Sequence, residues 1–137
     1  MTVKLNFAKT GSDSVKIKGT LNVPEKFSSA GQSIVFYVGG ILKKLTLDAK
    51  GSVKDGQDKY SIKTNEKSTT AQVSVSLNRG TLSGFFLDEG LDGTADVKGV
   101  SRQLLVVIIL NDTVYESKRL LNYTAKINRS GSAKLGR

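Results

Sequence analysis

The sequence predicts an all-β fold, an antiparallel β-sandwich of Ig-like or Greek-key arrangement with one short helix near residues 81–91. Short runs alternate apolar with polar residues, as strands with one buried face require. Fourteen glycines against one proline, together with Asn, Asp and Ser, punctuate these runs at the spacing of sandwiches and barrels. Two dipeptides, Gly39-Gly40 and Asn111-Asp112, separate apolar runs and read as two-residue hairpin turns.

Taken in order, Val3, Leu5 and Phe7 alternate in a first strand, and Val15, Ile17 and Leu21 in a second, with Gly11-Ser12-Asp13 between them. A loop follows Asn22-Val23-Pro24 and runs to Ala30-Gly31, with Phe27 as its anchor to the core. Ser33 to Val38 and Ile41 to Leu47 form the first hairpin. Residues 52–59 read as a polar loop, and strands resume at Tyr60–Lys63 and Ala71–Leu77. Leu82, Phe85, Phe86 and Leu91 mark the apolar side of a short helix, and residues 92–101 read as a loop. The second hairpin joins Leu104–Leu110 to Thr113–Ile127. Both hairpins share an apolar strand, a two-residue turn and a closing Ala-Lys, a rhyme that duplication or the shared demands of a Greek key would each produce.

The run Leu104–Leu110 holds seven consecutive apolar residues. A membrane helix needs about 20, so no membrane insertion is expected. As a strand the run is apolar on both faces. Leu104, Val106, Ile108 and Leu110 need one cover, and Leu105, Val107 and Ile109 need another. Phe85 and Phe86 are the cover available within the chain, and a second copy is the cover available between chains. These five residues, Leu105, Val107, Ile109, Phe85 and Phe86, are therefore the expected interface set.

The stretches NFAKTGSDSVKIKGTL, TLDAKG and NYTAKINRSG resemble recurring modules of secreted or surface proteins of environmental bacteria. The similarity runs along most of the chain and includes no catalytic motif. It implies an extracellular or cell-surface β-sandwich module, a unit of a longer chain with neighbouring domains, in a family without established activity. The first thirty residues contain no apolar signal segment, which sits apart from that localisation.

Histidine and cysteine are both absent, which removes the usual general base, the commonest transition-metal ligand and the thiol nucleophile. No enzyme activity and no cofactor are expected. Asp88, Glu89, Asp92 and Asp96 form the one dense acidic stretch, a weak set for Ca²⁺ that lacks EF-hand spacing, and weaker still as a pair of glycosidase carboxylates. Asn111, Asn122 and Asn128 each begin a glycosylation triplet. Lys4 or Lys16 with Asn122, and Glu116 as the acid, are the pairs that an intramolecular isopeptide bond would use.

Basic residues number 21 against 12 acidic, and none of the acidic ones lies beyond Glu116. Lys118, Arg119, Lys126, Arg129, Lys134 and Arg137 could meet phosphate, carboxylate or sulfate groups of nucleic acid or acidic polysaccharide. No aromatic residue interleaves from Asn128 onward to stack on bases. The expected organisation is one domain over residues 1–128 with a basic flexible tail over 129–137. The expected function is a non-enzymatic structural or assembly module, self-associating or packed on neighbouring domains. Polyanion or carbohydrate binding is the alternative.

Overall fold

The computed structural model describes residues 1–80 and 82–135, with Arg79 described by its backbone alone. Ten strands are present among these residues: β1 (Thr2–Asn6), β2 (Asp13–Asn22), β3 (Ser33–Val38), β4 (Ile41–Thr46), β5 (Ser52–Asp55), β6 (Asp58–Lys63), β7 (Thr70–Gly80), β8 (Val97–Leu110), β9 (Thr113–Lys126) and β10 (Ser130–Leu135). A 3-10 helix, Ser83–Glu89, lies between β7 and β8. The fold is all-β and antiparallel. The strands make one continuous ten-stranded sheet in the order β4-β3-β8-β9-β10-β1-β2-β7-β6-β5, nearly closed into a barrel.

Closure brings the two ends of that order together through a short connection. Asp48 donates its backbone N–H to the Ser52 carbonyl at 2.8 Å, and its carboxylate accepts from the N–H groups of Lys50 and Ser52. These donors hold the Asp48 carboxyl below the usual carboxylate range. Lys43 on β4 reaches Asp55 on β5 at 3.4 Å, an exposed pair worth under about 1 kcal/mol. Backbone geometry and the connecting loop, more than this ion pair, close the barrel.

Both hairpin dipeptides occupy their expected turns. Asn111 and Asp112 take φ of 50° and 61°, and Gly39 has φ of 55°. Such backbone matches the twist of the paired strands. At Gly39 a side chain is also excluded by space, because a Cβ would stand 2.6 Å from the Phe86 ring.

Two stretches read as loops carry strand. Ser52–Asp55 pairs with β6, and β8 begins at Val97 with a register shift between Val97 and Val100. The flexible tail expected from residue 129 is also corrected. Ser130–Leu135 is β10, paired with both β9 and β1, and Ala133 is fully buried. Gly136 and Arg137 lie outside the described residues.

The core fills the barrel with the inward residues of every strand except short β5, whose Val53 is only partly buried. Phe36 and Tyr60 meet edge to face at its centre, with centroids 5.7 Å apart. The Tyr60 hydroxyl is buried and has no hydrogen-bond partner among the described residues. Burial, then the nearby Asp58 and Asp55, hold this phenol well above the usual tyrosine range. Tyr60→Phe removes an unpaired polar atom while keeping the ring, so thermal denaturation should report a gain of about 1 kcal/mol. A clear loss would show that the hydroxyl has a partner.

Candidate functional site

The acidic stretch does not converge. Asp92 Oδ1 accepts from Thr94 N and Oγ1, which holds its carboxyl below the usual range. Asp96 Oδ1 accepts from Ile127 N at 2.7 Å, and its other oxygen lies 3.9 Å from Lys126. Asp88 and Glu89 end the 3-10 helix, and no metal-holding group of carboxylates occurs among the described residues. These side chains shape turns. The isopeptide geometry fails as well: Asn122 aligns with Lys134, Lys134 with Thr2, and Thr2 with Lys16. That places Lys16 three strand spacings of about 4.8 Å from Asn122. Lys4 is two spacings over and two residues along. Asn111, Asn122 and Asn128 are exposed.

One carboxylate with a structural role escaped notice in the sequence. Asp13 is 2 % exposed, and its Oδ1 accepts from Asn6 N at 2.7 Å while Oδ2 accepts from Leu82 N and Ser83 N at 2.8 and 2.9 Å. It ties the start of the 3-10 helix to β1 and β2. At the other end of that helix, Arg102 Nε donates to the Gly90 carbonyl at 3.1 Å. Asp13→Ala leaves three N–H groups without their acceptor and should cost about 3 kcal/mol. Thermal melts and limited proteolysis near residue 82 would read this out. An unchanged midpoint and cleavage pattern would show that the latch is dispensable.

The latch orients the aromatic pair. Phe86 is fully buried beside Gly39 and Leu104, whereas Phe85 is 50 % exposed. Phe86 thus packs on the inward side with Leu104, and Phe85 stands beside Gly40 in the first hairpin turn. Leu105, Val107 and Ile109 point to the barrel exterior and are half-buried. Across the outer surface, Leu42, Tyr37, Val107 and Glu116 align in one row, and Lys44, Val35, Ile109 and Val114 in the next. The strip ends on Leu42, Val114 and Leu120, which are 57, 60 and 58 % exposed.

The basic residues separate in space. Lys118, Lys126 and Lys134 point outward, and Arg129 sits in the turn before β10. Arg119 points inward with its guanidinium facing Gly19 on β2, and Arg137 lies outside the described residues. A row not visible in the sequence crosses the opposite side of the barrel. Lys54, Lys59, Ser76, Lys16, Thr2 and Lys134 align in register over six strands. The outward side chains of β10, β1, β2, β7 and β6 that are described include no carboxylate.

Between these two surfaces the wall of the barrel has a gap. β1 pairs with β2 only over Lys16–Ser14, and β10 stops on β9 at Leu121. Beyond those points Ile17–Asn22 and Thr113–Leu120 face each other, joined by one hydrogen bond from Tyr115 Oη to the Asn22 carbonyl at 2.6 Å. The opening is a cleft of about 410 Å³ with Ile17, Val73, Val106 and Ile108 on its floor. The Met1 amino group lies near it and has a lowered pKa, first from burial and then from repulsion by Arg119.

The arrangement is therefore an antiparallel sheet nearly closed into a barrel, with an apolar strip, a basic face and a side cleft. Comparison with protein-family models, curated proteins and solved structures finds no match for this chain. No helix among the described residues is long and apolar enough to cross a membrane.

Proposed function

We propose that the domain is a non-enzymatic assembly module of an extracellular or cell-surface protein, and that it self-associates through the outer strip of β4-β3-β8-β9. The observation that carries this reading is that apolar strip, with Leu42, Val114 and Leu120 more than half exposed. Exposed apolar patches of this kind mark association surfaces. The occupant that fits best is a second copy, because the strip carries its own charge complement. Lys44 sits on the β4 side and Glu116 on the β9 side. A two-fold axis along the strands lays β4 of one copy over β9 of the other, so each lysine approaches the partner's acid and two sheets pack face to face. Light scattering over a concentration series tests it: a dimer is expected, and a monomer at every concentration would overturn the reading. The extracellular setting rests on the sequence resemblance alone.

The lysine row favours a second reading, binding to a linear polyanion. Alternate strands place cations at about 10 Å intervals, a spacing that a sulfated or phosphorylated chain can follow. Retention on an immobilised acidic glycan should fall steeply with salt, and converting Lys16, Lys59 and Lys134 to Gln should flatten that dependence. An unchanged salt slope would remove the reading.

A further inference from the structure

The gap between β2 and β9 brings part of the core to solvent through the wall of the barrel. Val106, Ile108, Ile17 and Val73 keep 6, 5, 4 and 4 % exposure, among the largest residual values in the core, and all four line this cleft. Its volume falls within the range of small-molecule sites, about 300–1,000 Å³. Leu21 extends the apolar lining, and Tyr115 and Ser117 supply hydroxyls. Arg119 brings a guanidinium into this setting from an inward position on β9, and it forms no ion pair among the described residues. Glu116, on the outer face of β9, stands at the rim.

We propose that this cleft binds a singly charged long-chain carboxylate, with the hydrocarbon against Ile17, Val73, Val106 and Ile108 and the head group on Arg119. A guanidinium presents two parallel donors that match a planar carboxylate, a fit that an ammonium lacks. Arg119 is the guanidinium lining the cleft. Glu116 at the rim offsets part of the local positive charge that Arg119 and the nearby Met1 amino group supply, and this balance suits a single negative charge better than a dianionic phosphate head. The apolar floor favours a chain over a compact anion. The floor residues and Arg119 face inward, whereas the strip faces outward, and the two surfaces share only Val114 and Glu116 at the rim.

The experiment is a displacement titration on the full chain, with cis-parinaric acid as the fluorescent probe and dodecanoate, dodecanol and dodecyltrimethylammonium as competitors. Saturable one-to-one binding is expected, with dodecanoate at least about tenfold stronger than dodecanol and the cation inactive. Arg119→Gln should erase the preference for dodecanoate while leaving dodecanol unchanged. Gly19→Leu, which fills the cleft opposite Arg119, should abolish binding of both. Thermal melts check that each variant folds. Should Arg119→Gln unfold, Arg119→Lys replaces it, and a weakened dodecanoate preference is then expected. Val107→Lys should bind as the wild type does, which separates failure of this proposal from failure of the assembly reading. Absence of saturable binding, or equal affinity of wild type and the Arg119 variant for dodecanoate, would overturn the proposal. So would binding of an extended Val-Thr repeat peptide that dodecanoate cannot displace, which would assign the gap to strand addition along its unpaired edges.

Discussion

Deleting residues 130–137 should abolish cooperative thermal unfolding, with loss of the near-ultraviolet circular dichroism of the buried tyrosines. The sequence of this segment, Ser-Gly-Ser-Ala-Lys-Leu followed by Gly-Arg, looks dispensable. Its position is central. β10 pairs with Leu121–Lys126 on one side and with all of Thr2–Asn6 on the other, so its removal strips two ladders at once. β1 would keep only its three pairs with β2. Tyr123, whose hydroxyl donates to the Asp92 carbonyl at 2.6 Å and whose phenol is pushed up to about 12 mainly by burial, would lose the cover of Gly131. Domains of this kind have only about 5–15 kcal/mol in total, and removing a central strand exceeds that. A truncated chain with an unchanged midpoint would show that β10 is not part of the folded sheet.

Val106→Lys and Val107→Lys should give opposite results although the residues are adjacent. Val106 faces the core at 6 % exposure, and an ammonium there is either buried at a cost of several kcal/mol or forces the strand apart. The expected outcome is a chain unfolded or melting far below the wild type. Val107 lies on the outer strip between Tyr37 and Glu116, where a lysine head can reach water. Stability should change by no more than about 1 kcal/mol, and the dimer should be lost. Melting curves and light scattering on both proteins measure these outcomes. If both variants unfold and the wild type is already monomeric, the strip is covered and the assembly reading fails.

Much of the local structure was legible in the sequence because the relevant signals are local. Gly39-Gly40 and Asn111-Asp112 announce positive φ, and the alternation of Val73, Val75 and Leu77 announces one buried face of β7. β10 was illegible for a physical reason. Its inward positions are Gly131 and Ala133, because Gly131 lies under Tyr123 and a Cβ there would strike that ring. Small residues packed beneath a large neighbour leave no hydrophobic period to detect. β5 has one inward apolar residue, Val53, for the same result. Phe85 and Phe86 looked like a pair, but adjacent residues on a 3-10 turn cannot share a face, and only Phe86 enters the core. The Asp13 latch and the cleft depend on partners far along the chain. Arg119 looked like one more cation of a basic tail because nothing nearby in sequence says that β1 and β10 end before reaching it.

The pairing of the first strand with the last also sets an order on biosynthesis. β1 leaves the ribosome first, yet one of its edges has no partner until residues 130–135 emerge. At about 5–20 residues per second, the nascent chain carries that open edge for on the order of ten seconds. Nucleation is left to the hairpins that close locally, β3 with β4 and β8 with β9, which lie side by side in the finished sheet. Completion requires β10 to pair with both β9 and β1, and the β1 pairing is non-local, of the kind that makes β-rich chains fold slowly. Until then the growing chain exposes both an unpaired strand edge and the apolar strip, and its exposure to wrong partners is greatest just before residues 130–135 emerge.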